Sequence, residues 1–94
     1  GYGPVRSVFV GGEVRFPGRY ALRTRDERLA DVVARAGGLT AEANPDGVAF
    51  HRTRGRVGRI GVDLARVLRT PGFRENLTLQ DGDSIVVATR TQVV

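Results

Sequence analysis

The sequence predicts an α+β fold, a mixed sheet of about five strands packed on one main helix, in the order β-β-α-β-β-α-β. Three observations predict it. Apolar β-branched residues Val8, Val10 and Val14 run into a Pro17-Gly18 turn and return through Tyr20 to Leu22. Directly afterwards Leu29, Val32, Val33 and Ala36 recur at i, i+3, i+4 and i+7 and stop at Gly37-Gly38. Further alternating runs follow, with a short helical pattern between them and a last apolar stretch from Ile85 to Ala88.

In chain order, residues 1–7 read as a linker or lead-in, residues 8–89 as the domain and residues 90–94 as a tail. Val8 to Val14 suits a strand, with Gly11-Gly12 marking a bulge or a close approach of backbone. Phe16-Pro17-Gly18-Arg19 is a turn, because proline presets φ at its second position and glycine supplies a positive φ at its third. Thr24 and Glu27 have the spacing of a capping box, which places the helix start there, and losing the Thr24 cap should cost about 1 kcal/mol. Arg28, Asp31 and Arg35 fall off the apolar stripe and are expected to face water. Gly37 suits a left-handed helix stop, with Leu39 folding back on the helix.

Asn44-Pro45-Asp46-Gly47 is a turn cluster. Val48, Phe50 and Arg52 then alternate with Ala49 and His51, as in a half-buried strand. Thr53-Arg54-Gly55-Arg56 reads as a hairpin tip, and Gly58, Ile60, Val62 and Leu64 continue with period two. Asp63 is placed to cap a short helix with Leu64, Val67 and Leu68 on its inner face, and Thr70-Pro71-Gly72 ends it. Asp81-Gly82-Asp83 is a turn before the last strand. One amphipathic helix over the apolar face of such a sheet is a β-grasp arrangement.

A chain of 94 residues is one domain with a small core. It has no cysteine, hence no disulfide and no thiolate metal site. No apolar run is long enough to cross a membrane, so no membrane insertion by this piece is expected. The start Gly1-Tyr2-Gly3-Pro4 has neither the charged nor the apolar region of a signal peptide. With no initiating Met, the chain is expected to be a piece of a longer protein. All fifteen basic residues are arginine, and the net charge is +5. Arginine-favouring codons of a GC-rich genome explain this in bland terms. A surface that grips carboxylate, phosphate or sulfate through forked guanidinium groups explains it in functional ones.

Taken in order, Gly12-Glu13-Val14, Pro17-Gly18, Tyr20, Leu29, Ala36-Gly37-Gly38-Leu39-Thr40, Val62-Asp63-Leu64, Asn76-Leu77 and Leu79-x-Asp81-Gly82-Asp83-x-Ile85-x-Val87 resemble the soluble-ligand-binding β-grasp (SLBB) family. The resemblance spans roughly Val8 to Val87. With its central hairpin and Val-Asp-Leu helix, the chain resembles the SLBB domains of Wza-like polysaccharide export proteins. That resemblance implies a periplasmic module of an outer-membrane-associated exporter of capsule or exopolysaccharide. Its implied partners are neighbouring subunits, the export domain of the parent protein, and the polysaccharide, acidic or neutral. The alternative is a module binding nucleic acid or another soluble ligand, as in competence DNA receptors. There the β-grasp part is shorter and joined to a helix-hairpin-helix, a pattern absent here, so nucleic acid is not the expected partner. A third setting is a subunit of a quinone or ferredoxin oxidoreductase, with its clusters on other domains.

Candidate contact residues are Arg15, Phe16, Arg19, Arg52, Arg54 and Arg56. Phe16 sits at a turn between Arg15 and Arg19, as an exposed aromatic for a sugar face. Arg52, Arg54 and Arg56, spaced by two, share one face of an extended hairpin. That row fits a solvated tip that discourages edge pairing, a subunit contact, or a grip on a polyanion. No aromatic is interleaved with it for base stacking. Tyr20 and Phe50 are expected in the core. No catalytic residue is expected: His51 with Ser7 or Ser84 lacks a nucleophile-elbow pattern. Asp81-Gly82-Asp83 lacks the further ligands of a calcium loop. The glycine pairs are not phosphate loops, since Gly37-Gly38 closes a helix C-terminus. No metal and no cofactor is expected.

Overall fold

The computed structural model describes residues 6–53, 58–70 and 72–90. In chain order these form β1 (Ser7–Gly12), β2 (Gly18–Ala21), α1 (Leu29–Arg35), β3 (Ala43–Arg52), β4 (Gly58–Ile60), α2 (Leu64–Arg69) and β5 (Ser84–Thr89). The strands make one sheet in the order β2-β1-β5-β3-β4. β1 and β5 run parallel, with Phe9 beside Ser84 and Gly12 beside Val87, and the other pairings are antiparallel. This is the mixed α+β class the sequence predicts, and it is consistent with a β-grasp-like fold.

Strand alternation builds the core. Val8 and Val10 of β1, Val48 and Phe50 of β3, and Ile85 and Val87 of β5 turn inward and are buried. The predicted stripe of α1, Leu29, Val32, Val33 and Ala36, meets them with no exposed surface at all. Each fully buried Leu or Phe contributes about 1.5–3 kcal/mol. Tyr20 packs against this core half-buried. The covering layer is shared by two helices of seven and six residues, where one main helix was expected. In α2, Leu64 and Val67 reach the core, whereas Leu68, expected inward, is exposed.

The helix start differs from its prediction. Thr24 accepts a hydrogen bond from the Asp26 amide inside a tight turn, and Glu27 turns to other partners, so neither caps α1. The N-cap is Arg28, which has no acceptor to offer. Two other groups satisfy the open amides: Asp31 Oδ2 accepts from Arg28 N at 2.9 Å, and the buried Asn76 Oδ1 accepts from Ala30 N at 2.9 Å. At the other end the stop is as expected. Gly38 N donates to Val33 O and Gly37 N to Ala34 O, the two bonds of a Schellman motif.

Two predicted turns also move. Gly18 and Arg19 already belong to β2, and the first hairpin closes through residues 13–17 instead of Phe16-Pro17-Gly18-Arg19. The cause lies at Gly12, whose φ of 76° ends β1 and sends Val14 across to an isolated bridge with Leu39. Asn44-Pro45-Asp46-Gly47 lies inside β3 instead of before it. Asn44 Oδ1 accepts from Asp46 N, and the ladder to β5 slips there, with Ala43 facing Thr89 but Val48 facing Val87. The turn chemistry is absorbed as an irregularity of the strand. α2 begins as predicted, with the Asp63 carboxylate accepting from Arg66 N at 3.1 Å.

Candidate ligand surface

Residues 13–17 fold into a knuckle against the end of α1. Arg15 N donates to Gly38 O and Phe16 N to Ala36 O, while the Tyr20 hydroxyl donates to Phe16 O. Glu13 locks its base: Oε1 accepts from the Thr40 hydroxyl at 2.8 Å and Oε2 from the Thr89 hydroxyl at 2.9 Å. A Cβ on Gly37 would stand 2.7 Å from Arg15 Cβ and 2.8 Å from the Phe16 ring, so only glycine lets the knuckle close on the helix end. The product is a Phe16 ring 57% exposed on a tethered backbone, with the Arg15 guanidinium 5.5 Å from its centroid. A sugar can stack on such a ring while the adjacent cation meets a carboxylate.

Arg19 does not join this pair. It lies opposite Phe9 across the β1–β2 ladder, on the face of the sheet away from the helices. That face also carries Phe9, 40% exposed, and Val86, 37% exposed. Phe9 is a solvent-facing aromatic absent from the sequence-predicted set. The alternation of Val8 and Val10 carries the signal for it, since residues two apart share one face of a strand and the residue between them takes the other.

Arg52 is committed inside the molecule. Its Nε and Nη2 fork onto the two carboxylate oxygens of Asp83, at 3.0 and 2.8 Å, and Nη2 also donates to Thr78 O. Asp83 is 1% exposed and accepts from Gln80 N as well. Arg52 therefore ties β3 to the turn before β5 instead of presenting itself to a ligand. Arg54 and Arg56 lie outside the described residues.

A second internal carboxylate, Glu27, is 6% exposed. It accepts from Arg23 N at 2.8 Å and pairs with Arg35 Nη1 at 2.8 Å. Burial pushes its pKa up, but the Arg23 amide and the Arg35 and Arg23 charges outweigh burial and hold it below its ordinary 4.5. The unfolded chain then binds the proton more readily, so the Glu27 contribution is complete above about pH 4.5 and lost as pH falls through the lowered value. Glu27→Gln should accordingly destabilise the domain at about pH 7, and the difference from the parent should shrink as pH falls below about 4.5, measured by urea unfolding across a pH series. A difference that grows as the pH is lowered would refute the assignment.

Two shallow pockets flank this region. One of about 360 Å³ is lined by Arg23, Thr24, Glu27, Asp31, Ala34 and Arg35. The other, of about 380 Å³, is lined by Arg6, Arg25, Thr78, Leu79, Gln80 and Asp81. Among the described residues no group of three or more His, Asp or Glu is placed to hold a metal ion.

Residues 6–87 match the family model described as the SLBB domain. No curated protein matches the chain.

Proposed function

The chain belongs to the SLBB family, a family of soluble-ligand-binding modules, and from that premise we propose that it is a non-catalytic, cofactor-free interaction module of a bacterial capsule or exopolysaccharide exporter. In this reading the sheet and helices are a β-grasp scaffold of the Wza-like type. The module sits in the periplasm within an outer-membrane-associated protein. There it joins neighbouring subunits or the parent's export domain, and it touches the polymer.

The observation that supports polymer contact best is the Arg15–Phe16 knuckle. A ring so exposed would ordinarily lose entropy on binding, but here the backbone on both sides is already hydrogen-bonded to the end of α1. Little ordering remains to offset the stacking energy. Sugar recognition needs an aromatic platform beside a polar group, and this pair offers both.

The test is a backbone NMR titration with an acidic oligosaccharide and, separately, with single-stranded DNA of matched charge, at physiological salt where long-range attraction is screened. Saturable shifts at residues 15–16 with the sugar are expected. Phe16→Ala should weaken that binding about five- to tenfold, the worth of one aromatic contact. Tighter binding of DNA at the same residues would favour nucleic acid over polysaccharide. No shift with either would end the ligand role of the knuckle.

A further inference from the structure

The pocket lined by Arg6, Arg25, Thr78, Leu79, Gln80 and Asp81 lies apart from the knuckle, and its walls come from three distant stretches of chain. They are stitched together by backbone. Leu22 N donates to Arg6 O, Leu79 N to Glu27 O, and Gly82 N to Ser7 O, each at 2.8–2.9 Å. Asp81 Oδ1 accepts from Ser7 N at 2.8 Å, which fixes the acidic wall. Thr24 closes the turn that carries Arg25 by accepting from Asp26 N.

Two arginines line this pocket. Among the described residues the ion pairs are Arg35–Glu27 and Arg52–Asp83, and neither Arg6 nor Arg25 takes part in one. Arg6 is nonetheless half-buried. Two forks in one cleft ask for an anion to bridge them. The remaining lining narrows its chemistry. Asp81 carries a carboxylate, which accepts from hydroxyl groups. Thr78 and Gln80 add a hydroxyl and an amide, each able to donate and accept. A phosphodiester chain presents no donor for Asp81. A uronic acid presents a carboxylate at one edge and hydroxyl donors around the rest of its ring.

We propose that the cleft between Arg6, Arg25 and Asp81 is a binding subsite for one uronate unit of an acidic polysaccharide. The two arginines hold the carboxylate, while Asp81, Thr78 and Gln80 take the ring hydroxyls. The volume of about 380 Å³ admits one charged sugar unit. The proposal rests on the polysaccharide reading for the source of the sugar, but it concerns different residues from the knuckle.

The experiment is an NMR titration of the same domain with tetragalacturonate, maltotetraose and single-stranded DNA of matched charge, repeated with Arg25→Gln, Arg6→Gln and Phe16→Ala. Saturable shifts at residues 6, 25 and 78–81 with tetragalacturonate alone are expected. Each arginine variant should weaken them about tenfold, and Phe16→Ala should leave them in place. Arg25→Lys keeps the charge but not the fork and should recover only part of the affinity. Equal binding of DNA, or of maltotetraose, at these residues would overturn the uronate assignment. Shifts confined to residues 15–16 would overturn the subsite and leave the knuckle reading standing. Shifts at the cleft but not at the knuckle would do the reverse, and none at either would remove both. Unchanged amide spectra of the free variants away from the substituted positions show that a lost shift is not lost folding.

Discussion

Asp83→Ala should lower the melting temperature by roughly 15 °C. Breaking a buried ion pair by removing one partner costs about 3–5 kcal/mol, and each kcal/mol is worth about 4–8 °C in a domain of this size. The reason is what remains behind. Asp83 is 1% exposed and receives three donors, from Arg52 Nε, Arg52 Nη2 and Gln80 N. Without it, among the described residues the Arg52 guanidinium keeps only the Thr78 carbonyl as a hydrogen-bond partner, in a position 12% exposed. A domain of this length holds only about 5–15 kcal/mol in total, so the variant stands near the limit of folding. The double variant Arg52→Met, Asp83→Leu removes both charges and should recover most of the loss, because a well-packed apolar pair can replace a buried ionic one. Thermal unfolding followed by circular dichroism decides the matter. A melting point for Asp83→Ala within about 3 °C of the parent would mean that the pair contributes little.

Gly12→Ala should be of comparable severity for a different reason. Gly12 has a φ of 76°, which costs an L-residue about 1–2 kcal/mol by itself. A Cβ there would also stand 2.1 Å from Val87 O and 2.8 Å from Val87 N, both backbone atoms of β5 that cannot swing aside. To admit it, the β1–β5 ladder must part at the centre of the sheet. A loss above about 4 kcal/mol follows, beyond the range of ordinary substitutions. Gly38→Ala isolates the conformational part of this cost. Gly38 has a similar φ of 82°, yet a Cβ there meets nothing within 4 Å. It should lose only about 1 kcal/mol. Equal destabilisation of the two variants, measured by urea unfolding, would show that steric overlap at β5 is not the dominant effect.

These two sites show where legibility in the sequence ends. The α1 stripe, its glycine stop and the Asp63 cap are local patterns, set by residues within a turn or two of each other, and they read correctly. The close approach at Gly11-Gly12 was also visible, though not the atom it approaches. Arg52 and Asp83 are 31 residues apart, and Asn76 caps an amide 46 residues away. No periodicity connects such pairs. Without Asn76 in view, Thr24 and Glu27 looked like the cap because their spacing suits one. Asn44-Pro45-Asp46-Gly47 reads as a break by local chemistry, but β5 pairs on both sides of it and carries the strand through.

The candidate site divides the same way. Exposure of Arg15 and Phe16 followed from their place beside a turn. The separation of Arg19 from them is a matter of strand facing that a misplaced turn concealed. Arg6 and Arg25 line one pocket because Arg6 pairs its carbonyl with Leu22 while the turn after Leu22 brings Arg25 back beside residues 78–81. Neither arginine stands out from the thirteen others in a chain that uses no lysine.

The parallel pairing of β1 with β5 has a mechanical consequence. The chain enters this strand pair at Ser7 and leaves it at Thr89, at opposite ends of two neighbouring strands. Force applied along the chain therefore slides the strands past each other and loads their hydrogen bonds together, rather than peeling them one at a time. Glu13 N to Val87 O and Phe9 N to Asp83 O carry load at the two ends of that ladder. The hairpins formed with β2 and β4 lie outside the line of force. In a longer protein under tension the domain would behave as a stiff link, yielding abruptly and late instead of stretching.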